Sequence, residues 1–166
     1  MMPSTQTLQE HFLYSESLFC NRRPTEIRTV LGSCVSVCLF DLHKKIGGMN
    51  HYLMPSWNGD GTPSAKFGNI AIEKLIEKMI ALGADRTNLI AKVFGGAWQI
   101  KKMEIFGIGS RNVEVAFQVL SENAIPVVAS QVGGECGRIV LFNTNTGNAL
   151  VKMIESNVIK TSIPVH

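Results

Sequence analysis

From about position 11 the chain alternates short apolar runs with turn-forming residues. Segments 12–19, 26–31, 35–41 and 45–54 are rich in Val, Ile, Leu, Phe and Tyr, which predicts strands joined as hairpins or an antiparallel meander. Within the third, Val35, Val37 and Leu39 share one face while Ser36, Cys38 and Phe40 share the other, because strand side chains alternate. Both faces are expected to be covered. Residues 55–64 combine Pro55 and Pro63 with Asn58, Gly59, Asp60 and Gly61, a loop composition. Ile72, Leu75, Ile76, Met79 and Ile80 then recur at i, i+3, i+4, i+7 and i+8, the stripe of a helix, with Glu73, Lys74, Glu77 and Lys78 opposite and Gly83 as its stop.

Segment 88–94 predicts a buried strand running into a Gly95–Gly96 turn. Val113, Ala116, Phe117 and Leu120 mark a second helix, with Ser110 as its N-cap and Asn123 and Pro126 as its stop. Segments 126–132 and 138–142 flank the glycine turn at 133–137, and an alternating run at 149–154 precedes an irregular tail. The first dozen residues lack a period and predict a loosely held N-terminal tail. The pattern predicts an α/β (α+β) fold: one domain over 11–158, a sandwich of mostly antiparallel sheet with two main helices, between tails at 1–10 and 159–166.

With 166 residues, 45% hydrophobic and 17% charged, the chain can bury a core, and disordered or fibrous classes are excluded. A net charge of +3 without any dense Lys/Arg run gives a nucleic-acid groove little footing, while an acidic protein partner stays open. No stretch reaches the ~18 apolar residues of a membrane helix, so an integral membrane protein is not expected. The start, MMPSTQTLQEHF, lacks the layout of a signal peptide. Together these point to the cytoplasm, where Cys20, Cys34, Cys38 and Cys136 stay reduced.

The densest chemistry lies in TVLGSCVSVCLFDLHKKIGGMNHYLMP. Cys34 follows the Gly32–Ser33 turn and leads into an apolar strand, where unpaired backbone N–H groups at Gly32, Ser33 and Cys34 could hold an oxyanion. His51 sits in a neighbouring strand-like run and could take the thiol proton, its imidazolium then pairing with the thiolate. Thr29, or a backbone carbonyl, could orient the far ring nitrogen. The plain alternative for each cysteine is packing: Cys38 within a strand, Cys136 in a glycine turn, Cys20 at a strand end. A zinc site built on Cys34, Cys38, His43 and His51 is disfavoured, because a Cys-x3-Cys strand separates the thiols by ~13 Å. The run 107–112 superficially matches a phosphate-binding turn but lacks its lysine and spacing, so a capped helix start is the better reading.

The segments LGSCVSVCLFD, GGMNHYLMP, AKVFGGA, IGSRN and VGGECGR, in this order across roughly 29–150, resemble the chemoreceptor glutamine deamidase family of bacterial chemotaxis, CheD. The resemblance implies a cysteine hydrolase that converts glutamine side chains of methyl-accepting chemotaxis receptors to glutamate. It assigns Cys34 as nucleophile, His51 as general base and acid, and Thr29 as the third member. It further implies a fold similar to bacterial cysteine deamidase toxins, no metal or organic cofactor, and a CheC-type phosphatase as a possible partner. Against it stands a reading in which the domain is a binding module that regulates such a phosphatase without using its thiol.

Overall fold

The computed structural model describes residues 7–98, 107–155 and 158–165. Ten strands run through it in chain order, β1 (Gln9–Phe12), β2 (Ser17–Asn21), β3 (Thr25–Leu31), β4 (Val35–Asp41), β5 (Ile46–His51), β6 (Leu89–Gly95), β7 (Val127–Val132), β8 (Gly137–Asn143), β9 (Ala149–Glu155) and β10 (Val158–Val165). Helix α1 (Gly68–Ala81) precedes β6 and helix α2 (Ile108–Glu122) precedes β7. The strands form a first sheet in the order β1-β3-β8-β9-β10 and a second in the order β2-β5-β4-β6-β7. Only β1 with β3 and β6 with β7 pair in parallel, so the fold is the mostly antiparallel, two-helix arrangement that the pattern predicts.

Strand β4 lies at the centre of the second sheet and is buried along its whole length. Its odd residues Val35, Val37 and Leu39 join one core with Ile72, Leu75, Ile76 and Met79 of α1 and Val115, Ala116, Val119 and Leu120 of α2. Its even residues Cys38 and Phe40 join a second core with Ile27, Leu31, Val140, Phe142 and Val151 of the first sheet. Three layers follow: first sheet, second sheet, helices. Strand β3 keeps the period-two alternation of a sheet with one wet face, burying Thr25, Ile27, Thr29 and Leu31 while Arg28 and Val30 face solvent.

The differences from the sequence pattern have local causes. Ile80 is 39% exposed, because eight residues of a 3.6-period helix carry it to the edge of the stripe that Ile72 begins. The buried stripe of α2 is Gly109, Asn112, Val115, Ala116, Val119 and Leu120, which turns Phe117 outward. The residue capping α2 is Gly107, left-handed at φ 54°, so Ser110 lies inside the first turn and is not the N-cap. Where an irregular tail is expected, β10 pairs antiparallel with β9, its Val, Ile and Thr residues supplying the strand propensity. Near the start, β1 pairs with β3, and Leu13, beyond its end, donates its N–H to Arg28 O at 2.8 Å. Among the described residues no helix is long and apolar enough to cross a membrane.

Leu75→Ala should lower unfolding free energy by about 2–5 kcal/mol, whereas Ile80→Ala on the same helix should cost less than about 1 kcal/mol, as measured by urea denaturation.

Candidate active site

Gly32, Ser33 and Cys34 carry the chain from β3 in the first sheet to β4 in the second. Each of their carbonyls meets a donor: Ala97 N–H reaches Gly32 O at 3.0 Å and Gly96 N–H reaches Cys34 O at 2.8 Å. The third donor is a side chain, Asn112 Nδ2, 2.9 Å from Ser33 O. A trans peptide points its N–H opposite its C=O, so the peptide whose carbonyl faces Asn112 turns the Cys34 N–H the other way. Burial pushes the Cys34 thiol pKa up, while the nearby backbone N–H groups of Cys34 and Gly32 work in the opposite sense. Burial wins.

The close approach of this turn to the end of β6 explains the glycine pair there. A Cβ on Gly95, at φ 111°, would collide with the Cys34 carbonyl, and one on Gly96 would run into Val113 and Gly109 of α2. The Gly95–Gly96 turn expected from the sequence thus lies where two backbones pack closely.

His51 is the last residue of β5 and is only 5% exposed. Beyond the strand end, Val35 and Tyr52 exchange both backbone hydrogen bonds, at 3.2 and 3.0 Å, and both side chains turn toward the helices. Cys34 and His51, one residue before each, therefore turn toward the first sheet as diagonal neighbours, a placement whose backbones stand roughly 7–8 Å apart with side chains still in reach. Cys34 packs against the inter-sheet core and is partly exposed.

Across the sandwich, Thr29 Oγ1 lies 2.7 Å from His51 Nδ1 and also 2.7 Å from the Leu13 carbonyl oxygen. A hydroxyl has one hydrogen, and a carbonyl can only accept. The Thr29 hydrogen therefore goes to Leu13 O, which makes Oγ1 the acceptor for an N–H on His51 Nδ1. The neutral ring is left with its lone pair on Nε2. Among the described residues the ring hydrogen-bonds through Nδ1 alone.

Burial pulls the His51 pKa down from 6.5 to about 4. It acts on both groups in the direction of the uncharged pair, a thiol beside a neutral imidazole. The low-dielectric space between the sheets disfavours both members of the thiolate–imidazolium pair that the sequence suggests.

The structure thus brings Thr29, Gly32, Ser33, Cys34 and His51 to one end of the inter-sheet space. Cys38 lies deeper on the same strand, fully buried in the core as its packing reading expects, and burial raises its pKa strongly. Cys20 and Cys136 are partly exposed, and neither is among the partners of the Cys34 turn. Two participants escape the sequence reading. The Leu13 carbonyl is a backbone atom with no residue signature, and Asn112 shows only as a polar residue on the apolar stripe of α2.

Fold and site define a two-sheet sandwich with a Cys–His–Thr constellation where the chain crosses between sheets. The family model described as "CheD chemotactic sensory transduction" matches residues 53–153. A probable chemoreceptor glutamine deamidase CheD of Sulfurimonas denitrificans is 45% identical over 149 residues, covering 89% of this chain and 96% of that protein. One from Trichlorobacter lovleyi is 44% identical over 87% of this chain and 90% of its own length, and one from Rhodospirillum rubrum 40% identical over 90% and 85%. The protein belongs to the CheD family. The family-model match begins after His51, but an alignment covering 89% of 166 residues necessarily takes in Thr29, Cys34 and His51.

Because the folded pKa of His51 lies below 6.5, the unfolded chain takes up the proton first as pH falls. The associated stability is complete above pH 6.5 and is lost down to pH 4, about 3 kcal/mol in all. Urea midpoints should therefore fall between pH 6.5 and 4 in the unaltered protein and fall less in His51→Gln.

Proposed function

We propose that this protein is a chemoreceptor glutamine deamidase, converting glutamine side chains of methyl-accepting chemotaxis receptors to glutamate. The observation that carries the reading is the 45% identity over 89% of the chain to a protein named for that activity. The geometry of Cys34, His51 and Thr29 supplies a route for it.

A glutamine carboxamide approaches Cys34 at the open end of the inter-sheet space. The sulfur attacks Cδ as its proton passes to the free lone pair of His51 Nε2, so charge separates only in the course of attack and not in the resting site. The carbonyl oxygen takes the negative charge and is held by the N–H groups of the crossover turn. Those of Gly32 and Cys34 are the donors that the turn offers beside the sulfur, and Ser33 keeps the turn in shape through its carbonyl. The protonated His51 gives its proton to the amide nitrogen, the C–N bond breaks, and ammonia leaves a thioester on Cys34. Water attacks the thioester with His51 Nε2 taking its proton, and glutamate departs as the thiol is restored. Thr29 accepts from Nδ1 throughout and keeps Nε2 toward the sulfur.

The product side chain carries a negative charge that glutamine lacks, so each turnover changes the electrostatics of the receptor surface. A cytoplasmic location, a CheC-type phosphatase as partner and a likeness to cysteine deamidase toxins belong to the same proposal and rest on the family resemblance.

Mass spectrometry of a receptor cytoplasmic fragment incubated with the protein should show Gln-to-Glu conversion at discrete positions, and Cys34→Ala should show none. Conversion by Cys34→Ala at the normal rate would remove the assignment. Thr29→Val keeps the shape but offers Nδ1–H no acceptor, and should lower kcat by about 10- to 100-fold in the same assay.

A further inference from the structure

We propose that Asn112 is a positioning residue that holds the Cys34 turn and the His51 strand in register for reaction, an inference that rests on the deamidase reading above. Asn112 lies in the first turn of α2 and is completely buried, on a stripe otherwise made of Gly109, Val115, Ala116, Val119 and Leu120. A carboxamide there is costly unless its hydrogens are used. Both are: Nδ2 donates to Ser33 O at 2.9 Å and to Leu53 O at 3.0 Å. Both acceptors are carbonyls, which fixes the orientation of the amide group. Among the described residues its Oδ1 is buried without a hydrogen-bond partner, so the arrangement gives up satisfaction at the oxygen to keep both contacts at the nitrogen.

The two acceptors bracket the site. Ser33 immediately precedes Cys34, and Leu53 follows His51 by two residues. One side chain on the helix layer therefore fastens the turn before the sulfur to the strand end beyond the imidazole. The Ser33 contact has a second effect, since it sets the plane of the peptide that carries the Cys34 N–H. Tyr52, between His51 and Leu53, adds a latch from the other direction, its hydroxyl donating to the backbone carbonyl of Asn112 at 2.5 Å. Asn112 touches no reacting atom; it acts through the groups it holds.

Asn112→Asp keeps the shape of the side chain but sets an oxygen against both carbonyls, and Asn112→Ser keeps a single donor. Deamidation of a receptor cytoplasmic fragment and iodoacetamide alkylation of Cys34 as a function of pH should be followed in both, with folding checked by circular dichroism. Asn112→Asp should lower kcat on the order of 10- to 100-fold, less than removal of an oxyanion donor itself, with KM changed by less than about 3-fold. Its alkylation profile should move to higher pH, and Asn112→Ser should recover part of both effects. Folded Asn112→Asp with unchanged kcat and an unchanged alkylation profile would overturn the proposal, as would a loss in KM alone. Should Asn112→Asp not fold, Asn112→Ser and Tyr52→Phe carry the same test, and normal kcat and alkylation in both would overturn it. Alkylation needs no substrate: an unaltered protein that deamidates nothing, beside a shifted Asn112→Asp profile, would remove the deamidase reading and leave the positioning of Cys34 standing.

Discussion

The site depends on one hydrogen bond that crosses the sandwich, from His51 Nδ1–H in the second sheet to Thr29 Oγ1 in the first, 2.7 Å apart. Its direction is settled by a group that plays no chemical part, the Leu13 carbonyl, which takes the only hydrogen Thr29 has. From that follow the tautomer of His51, the lone pair on Nε2 and the side of the ring that can serve Cys34. The two sheets bury the bond and the ring with it, and that burial strengthens the bond and keeps the ring uncharged. An imidazole held neutral near pH 7 keeps a lone pair able to accept a proton.

Cys34 is held from the other side of the second sheet. Every carbonyl of the Gly32–Ser33–Cys34 crossover is engaged, by the loop after β6 and by α2, which fixes the planes of the peptides around the sulfur. Glycines at 95 and 96 let that loop come close enough to donate, and Gly109 lets α2 approach the loop. Helix α2, which carries none of the proposed reacting groups, thus shapes the cysteine turn through the Asn112 side chain and through its close approach to the loop after β6. The first sheet, in contrast, reaches the site through Thr29 and orients the histidine. The two proposed reacting groups are placed from opposite layers and meet where the chain passes from one to the other.

Much of this was legible in the order of residues, for physical reasons that differ by element. Strands β3 and β4 announce themselves by alternation and by apolar content on both faces, and α1 by its stripe. The inward face of β3, with Thr25, Ile27, Thr29 and Leu31, could be read off the period of two, so a buried Thr29 was within reach. The phase of α2 was not, because Phe117 is as apolar as the residues that displace it from the core, and Asn112 takes a core position on account of two carbonyls that only tertiary structure brings near. The Leu13 carbonyl was invisible for the same reason, since β1 joins the sheet by a parallel pairing that no local pattern encodes. Cys34 and His51 were legible as candidates from turn chemistry and family resemblance, but their charge state was not, as it depends on how deeply the sandwich buries them.

The most direct measurement is nitrogen-15 NMR of the His51 ring in the unaltered protein across pH 7 to 4. A hydrogen bonded to Nδ1, a bare Nε2 at neutral pH and titration near 4 are what the Thr29–Leu13 arrangement predicts. A proton on Nε2 at neutral pH, or titration at the ordinary 6.5, would contradict it.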